Sequence, residues 1–220
     1  MFTAFTSIKK FDLLVALYTF CILVAETMGG KTFPLLNLFG YQLNASVAIF
    51  VLPLIFTVND VIVEVHGKER ARSVVRSGLL MILFLLGFTI LATQLPPSGR
   101  FASSESAYDT IFHQSSRISA ASLAAFSLAE FLDVYIFARL RQLFGKKKLW
   151  LRNNASNFIS QLVDTTVFMF VAFYAFDKPF DENWVFLISL IVPYWLLKCS
   201  MSILETPLVY LGVRWLKDEK

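Results

Sequence analysis

The stretch RISAASLAAFSLAEFLDVYIFARLRQ, Arg117 to Gln142, is apolar over most of its length and ends on Arg139 and Arg141. It reads as a membrane-spanning helix, yet it carries Glu130 and Asp133 well inside the span. Three residues apart, the two carboxylates share a helical face. A carboxylate facing lipid costs about 2.5–3.5 kcal/mol on insertion scales. That face therefore looks into protein or water, and the rest of the chain has to supply its partners.

Composition sets the class. Of 220 residues, 56% are hydrophobic and 23 are Phe, too little polar surface for a soluble domain of this size. At roughly 20 apolar residues per crossing, the chain holds about six spans with short connections. The expected fold is all-α: one polytopic domain over residues 1–220, a bundle of six transmembrane helices. The net charge of +4 is no nucleic-acid footprint, because the basic residues cluster at span ends. Cys21 and Cys199 fall in apolar runs and read as small buried hydrophobes. The N-terminal apolar stretch exceeds a signal h-region and shows no small-residue cleavage site, so it is expected to be retained.

Span one runs from about Phe11 to Met28, with Glu26 near its far end, and an apolar connection, KTFPLLNLFGYQLN, follows. Span two covers about Ala45 to Val63 and closes on Asn59, Asp60 and Glu64; span three runs from about Ser77 to Leu95. A Ser-rich connection, PPSGRFASSESAYDTIFHQSS, leads to span four, the opening stretch. Span five runs from about Asn153 to Phe176 and span six from about Trp184 to Val213. With these spans, 15 Lys and Arg fall on one side and 4 on the other, which places both termini in the cytoplasm.

Counting ~1.5 Å per residue, Glu130, Asp164 and Lys198 lie ~16–21 Å from the membrane faces, in the middle to inner third. Asp60 and Asp133 lie nearer the cytoplasmic mouth, and Glu26 nearer the outer one. Asn153, Asn154, Asn157, Gln161 and Asp164 recur at spacings of three and four as one polar stripe on span five. Intramembrane charges usually pair, so Lys198 is expected to neutralise Asp164 or Glu130. Interfacial capping by Asp60, Glu64 and Asp133, and interhelical glue by the amide stripe, are the structural alternatives.

Enzyme chemistry is excluded by what is missing. The histidines, His66 and His113, fall in loops on opposite sides of the membrane, which defeats a zinc-protease pair or a Ser-His dyad. No Gly-rich phosphate loop is present, and nothing calls for a metal or cofactor. A mixed, asymmetric set of polar groups suits recognition of one small polar solute.

Three pieces, LPLIFTVNDVIVEVHGKERAR, RISAASLAAFSLAEFLDVYIFARLRQ and LWLRNNASNFISQLVDTTVFMFVAFYAF, resemble the queuosine precursor transporters, also called the vitamin uptake transporter family. The most specific signals are the run from Asp60 to Gly67, Leu132-Asp133-Val134, and Gln161 with Asp164-Thr165. The resemblance implies uptake of 7-cyano-7-deazaguanine or 7-aminomethyl-7-deazaguanine across the bacterial cytoplasmic membrane, salvage for tRNA modification. In that setting Glu130 and Asp164 read the guanine-like edge, Asn157 and Gln161 the other edges, and Lys198 tunes the acids. Phe168, Tyr135 or Trp195 stack on the ring. Asp60, Glu64 and Asp133 serve as inner gate or proton exit. The alternative is a substrate-binding subunit of an energy-coupling-factor transporter, which needs separate ATPase partners.

Overall fold

The computed structural model describes residues 8–38, 40–144, 149–204 and 206–217. Within these, the side chains of 130, 133, 134, 137, 138, 140, 141, 143, 144, 149–157, 201–204 and 206 lie outside the described residues. The described chain is mostly helical, but it is not all-α.

Helix α1 (Lys10–Met28) leads into an antiparallel hairpin of β1 (Thr32–Leu38) and β2 (Tyr41–Ser46). The stretch 31–44, read from sequence as an apolar connection between spans, thus carries strand. In β2, Tyr41, Leu43 and Ala45 alternate with Gln42, Asn44 and Ser46, the period of two that a strand requires. Thr32 stands opposite Ser46 and Leu38 opposite Tyr41, with a register slip between Pro34 and Leu36. Proline has no N–H for the ladder, so the slip falls where pairing is weakest. Asn44 Nδ2 donates to Ser189 Oγ at 2.8 Å, tying the hairpin to the sixth helix.

A short 3-10 turn (Val47–Phe50) precedes α2 (Leu52–His66), which carries Pro53 in its first turn, where an N–H is not needed. Gly67 alone separates α2 from α3 (Lys68–Gln94), and its φ of +84° is a conformation other residues adopt at a cost. Helix α4 (Glu105–Phe144) has 40 residues, or ~60 Å, about twice a bilayer core. The Ser-rich connection is therefore helical from Glu105 onward, and the expected start of span four at Arg117 lies a dozen residues inside a longer helix. Tyr108 packs against Phe101 and Phe112, giving this polar turn its own aromatic anchor.

Helices α5 (Leu149–Phe173), α6 (Phe180–Leu204) and α7 (Thr206–Lys217) complete the chain. Residue 205, between α6 and α7, lies outside the described residues. At the α5–α6 turn end, Arg117 closes α5: its Nε donates to the Val171 carbonyl at 2.6 Å and its Nη2 to that of Tyr174 at 2.5 Å. A guanidinium at a helix C-terminus also complements the helix dipole.

Two large apolar clusters, and a small one of Ile118, Ala121 and Ala172 between α4 and α5, hold the described residues together. Leu14, Tyr18, Val61, Ile62, Val74 and Leu216 join α1, α2, α3 and α7. Ala45, Met169, Leu187, Leu190 and Tyr194 join the hairpin, α5 and α6. At α7, Gly212 lets the backbone approach Val61 so closely that a Cβ there would meet Val61 Cγ2 at 2.7 Å. Segments Lys10–Met28, Val47–His66, Lys68–Gln94 and Phe180–Ser200 are long and apolar enough to cross a membrane. Their outward faces carry exposed Phe20, Phe84, Phe88 and Leu196, the apolar surface that lipid would cover.

Candidate functional site

A cavity of about 230 Å³ lies where the two clusters meet, with side chains contributed by α1 through α6. Most of its wall is apolar, from residues such as Ile22, Ile82, Phe126 and Phe168. The polar groups are few and are placed by five elements, α1, β2, α4, α5 and α6.

At one side Lys198 of α6 meets Asp164 of α5, with Nζ donating to Oδ2 at 2.5 Å. Their side chains retain 15% and 26% of full exposure, so the pair is only partly withdrawn from its surroundings. Both residues line the cavity, next to Thr165, which is buried and whose Oγ1 has no hydrogen-bond partner among the described residues.

Opposite them, α1 presents Glu26, only 5% exposed and also lining the cavity. Ser119 and Ser122 of α4 lie beside its carboxylate, yet Glu26 Oε2 and Ser119 Oγ complete no hydrogen bond among the described residues. The depth of Glu26 follows from helix register. Gln114 reaches the Ala172 carbonyl at 3.0 Å, and α4 and α5 run antiparallel. Eight residues further along α4 is Ser122, and eight residues back along α5 is Asp164, so these two share a level. The Ser115 hydroxyl donates to the Thr27 carbonyl at 3.0 Å, which sets the backbone of Glu26 within a turn of the end of α1 at Met28.

The hairpin closes one end of the cavity. Ser46 Oγ donates to the Gly29 carbonyl at 2.6 Å, and Tyr194 Oη donates to the Ser46 carbonyl at 3.0 Å; both bonds are buried. Three separate elements (the end of α1, the end of β2 and the middle of α6) are pinned there around one residue.

The remaining residues singled out from sequence lie elsewhere. Gln161 does not line the cavity; its Oε1 accepts from the Cys199 thiol at 4.0 Å. Asp60 and Glu64 sit on the exposed side of α2, away from buried Val61 and Ile62. The side chains of Glu130, Asp133 and Asn157 lie outside the described residues. Of the rings considered for stacking, Phe168 lines the cavity, whereas Trp195 packs edge-on against Phe158 and Tyr135 is exposed. Glu26 was visible in the sequence as an acid inside an apolar run. Its pairing with a serine-bearing face of span four could be found only from the packing of α1 on α4.

Membrane-length helices around a small, partly charged cavity define a multi-pass membrane protein of the solute-carrying class. Comparison with known proteins gives the particular family. A family model described as "Putative vitamin uptake transporter" matches residues 46–212. A "Probable queuosine precursor transporter" of Bacillus subtilis is 31% identical over 185 residues, 84% of this chain and 77% of that one. A protein of the same name from Haemophilus influenzae is 31% identical over 149 residues, 66% of this chain and 59% of that one. The "Queuosine precursor transporter" of Escherichia coli is 30% identical over 140 residues, 62% of this chain and 59% of that one. No solved structure matches the chain. The chain belongs to the vitamin uptake transporter family, a family of transporters and not of enzymes.

Proposed function

We propose that the chain takes up queuosine precursors, 7-cyano-7-deazaguanine, 7-aminomethyl-7-deazaguanine or both, across the bacterial cytoplasmic membrane. The observation that carries this reading is the charged cavity between α1, α4, α5 and α6 in a chain whose relatives are named for that cargo. A volume of about 230 Å³ lies just below the ~300–1,000 Å³ of pockets for drug-sized ligands and suits one fused bicyclic ring. Phe168 and Phe126 supply aromatic walls for a flat ring, and Asp164, Lys198 and Thr165 supply polar contacts.

In this reading the chain crosses the membrane six times, α4 and α5 included, with both termini cytoplasmic. The hairpin is then on the outer side, and the hydrogen bonds of Ser46 hold the outer end closed. Asp60, Glu64 and Asp133 belong to the cytoplasmic gate, and Glu130, Asn157 and Gln161 contact the solute in other conformations of the cycle. Transport is secondary and proton-coupled.

The test is uptake by the purified chain alone in liposomes with an imposed proton gradient. Accumulation of labelled 7-cyano-7-deazaguanine that collapses with the gradient is the expected result. Binding without accumulation would mean that the chain is instead the substrate-binding subunit of an energy-coupling-factor transporter. Absence of both binding and uptake would overturn the reading.

A further inference from the structure

The cavity holds two acids, and only one of them has its charge answered among the described residues. Asp164 accepts the Lys198 ammonium, so the two charges cancel at that wall. Glu26 has no cation within salt-bridge distance among the described residues, and one of its oxygens accepts nothing. A carboxylate 5% exposed and short of donors costs several kcal/mol unless something donates to it. Ser122 of α4, beside it, lines the same cavity. A carboxylate that lines a cavity with one oxygen unanswered marks the place where a ligand's own N–H groups are received.

We infer that Glu26, on the face shared with Ser119 and Ser122, is the specificity-determining acceptor for a pair of adjacent N–H donors on a flat heterocyclic solute. This deepens the transporter reading above and rests on it. A guanine-type edge offers a ring N–H and an exocyclic amine side by side, the spacing that a carboxylate takes as a bidentate pair. Asp164, committed to Lys198, fixes the opposite wall and does not choose between solutes. The first helix, outside the span of 46–212 that matches the family model, thereby contributes a residue to recognition.

The experiment compares two ligands on the purified full-length chain in lipid nanodiscs: 7-cyano-7-deazaguanine, and the same ring lacking the 2-amino group. The wild-type chain is expected to prefer the first by about 10- to 100-fold, the value of one charge-assisted hydrogen bond. Glu26→Gln should bind both with nearly equal affinity, while Asp164→Asn keeps the preference. Should Glu26→Gln fail to fold, Glu26→Asp carries the same comparison, since it retracts the charge by one methylene and should weaken precursor binding about tenfold. A wild-type chain that binds both ligands alike, a Glu26→Gln chain that keeps the preference, or a Glu26→Asp chain of unchanged affinity would overturn this role and leave the transporter reading intact. A wild-type chain that binds neither ligand would overturn the transporter reading itself.

Discussion

Lys198 Nζ donates to Asp164 Oδ2 at 2.5 Å, a contact between the fifth and sixth helices whose partners are 34 positions apart in the chain. Breaking a partly buried pair from one side strands a charge, whereas removing both sides strands none. Asp164→Asn and Lys198→Met should each lower stability by about 2–4 kcal/mol, discounted from fully buried cases because both side chains keep some exposure. The double variant should recover most of that loss. Thermal unfolding in detergent of the two single variants and the double closes the cycle. Additive losses would mean that the contact contributes nothing.

Asn183 bridges both sides of the turn between α5 and α6. Its Oδ1 accepts from the Ala175 N–H at 2.8 Å, and its Nδ2 donates to the carbonyls of Ala175, Lys178 and Pro179. The residue is 2% exposed, so truncation leaves several backbone groups without partners. Asn183→Ala should cost about 2–3 kcal/mol, read as a lowered unfolding midpoint.

Ser46 serves three contacts at once, accepting from Ala48, donating to Gly29 and lending its carbonyl to Tyr194. Ser46→Ala removes the first two and should cost about 1–2 kcal/mol. If the hairpin end is the outer gate, the same change also raises the accessibility of the cavity. Faster alkylation of a cysteine placed at Ala48, probed with an externally added reagent, is the expected outcome.

Gly212 lies against Val61, and a Cβ at that position would meet Val61 Cγ2 at 2.7 Å. Gly212→Val should separate α7 from α2 and destabilise by about 1–3 kcal/mol. Combining it with Val61→Ala, which makes room, should restore part of the loss. An uncompensated double variant would argue against direct contact.

The helical plan was legible because apolar runs of membrane length dominate the chain, and the ends of α1 and α3 fall within a residue or so of where those runs stop. The hairpin was hidden by the same signal. Its Phe33, Leu35, Leu36 and Leu38 look like connecting apolar sequence, and the alternation of Tyr41 to Ser46 spans only six residues. The first turns of α4 were hidden by their serines, which weigh against helix until Tyr108 and Phe112 are seen to pack. At the site, Asp164 and Lys198 stood out as charges in apolar runs, and depth counting brought them together.

The proposed function places the solute in the cavity carrying Asp164 and Lys198. It is tested most directly by uptake of labelled 7-cyano-7-deazaguanine into cells unable to make it, comparing the wild-type chain with the Asp164→Asn/Lys198→Met double variant. That variant leaves no charge stranded, so its folding and membrane level should match the wild type. Uptake should fall by about tenfold or more, the loss expected when charged contacts to a buried solute are removed. Uptake within about twofold of wild type, at equal protein level, is a difference of under ~0.5 kcal/mol and would contradict the claim.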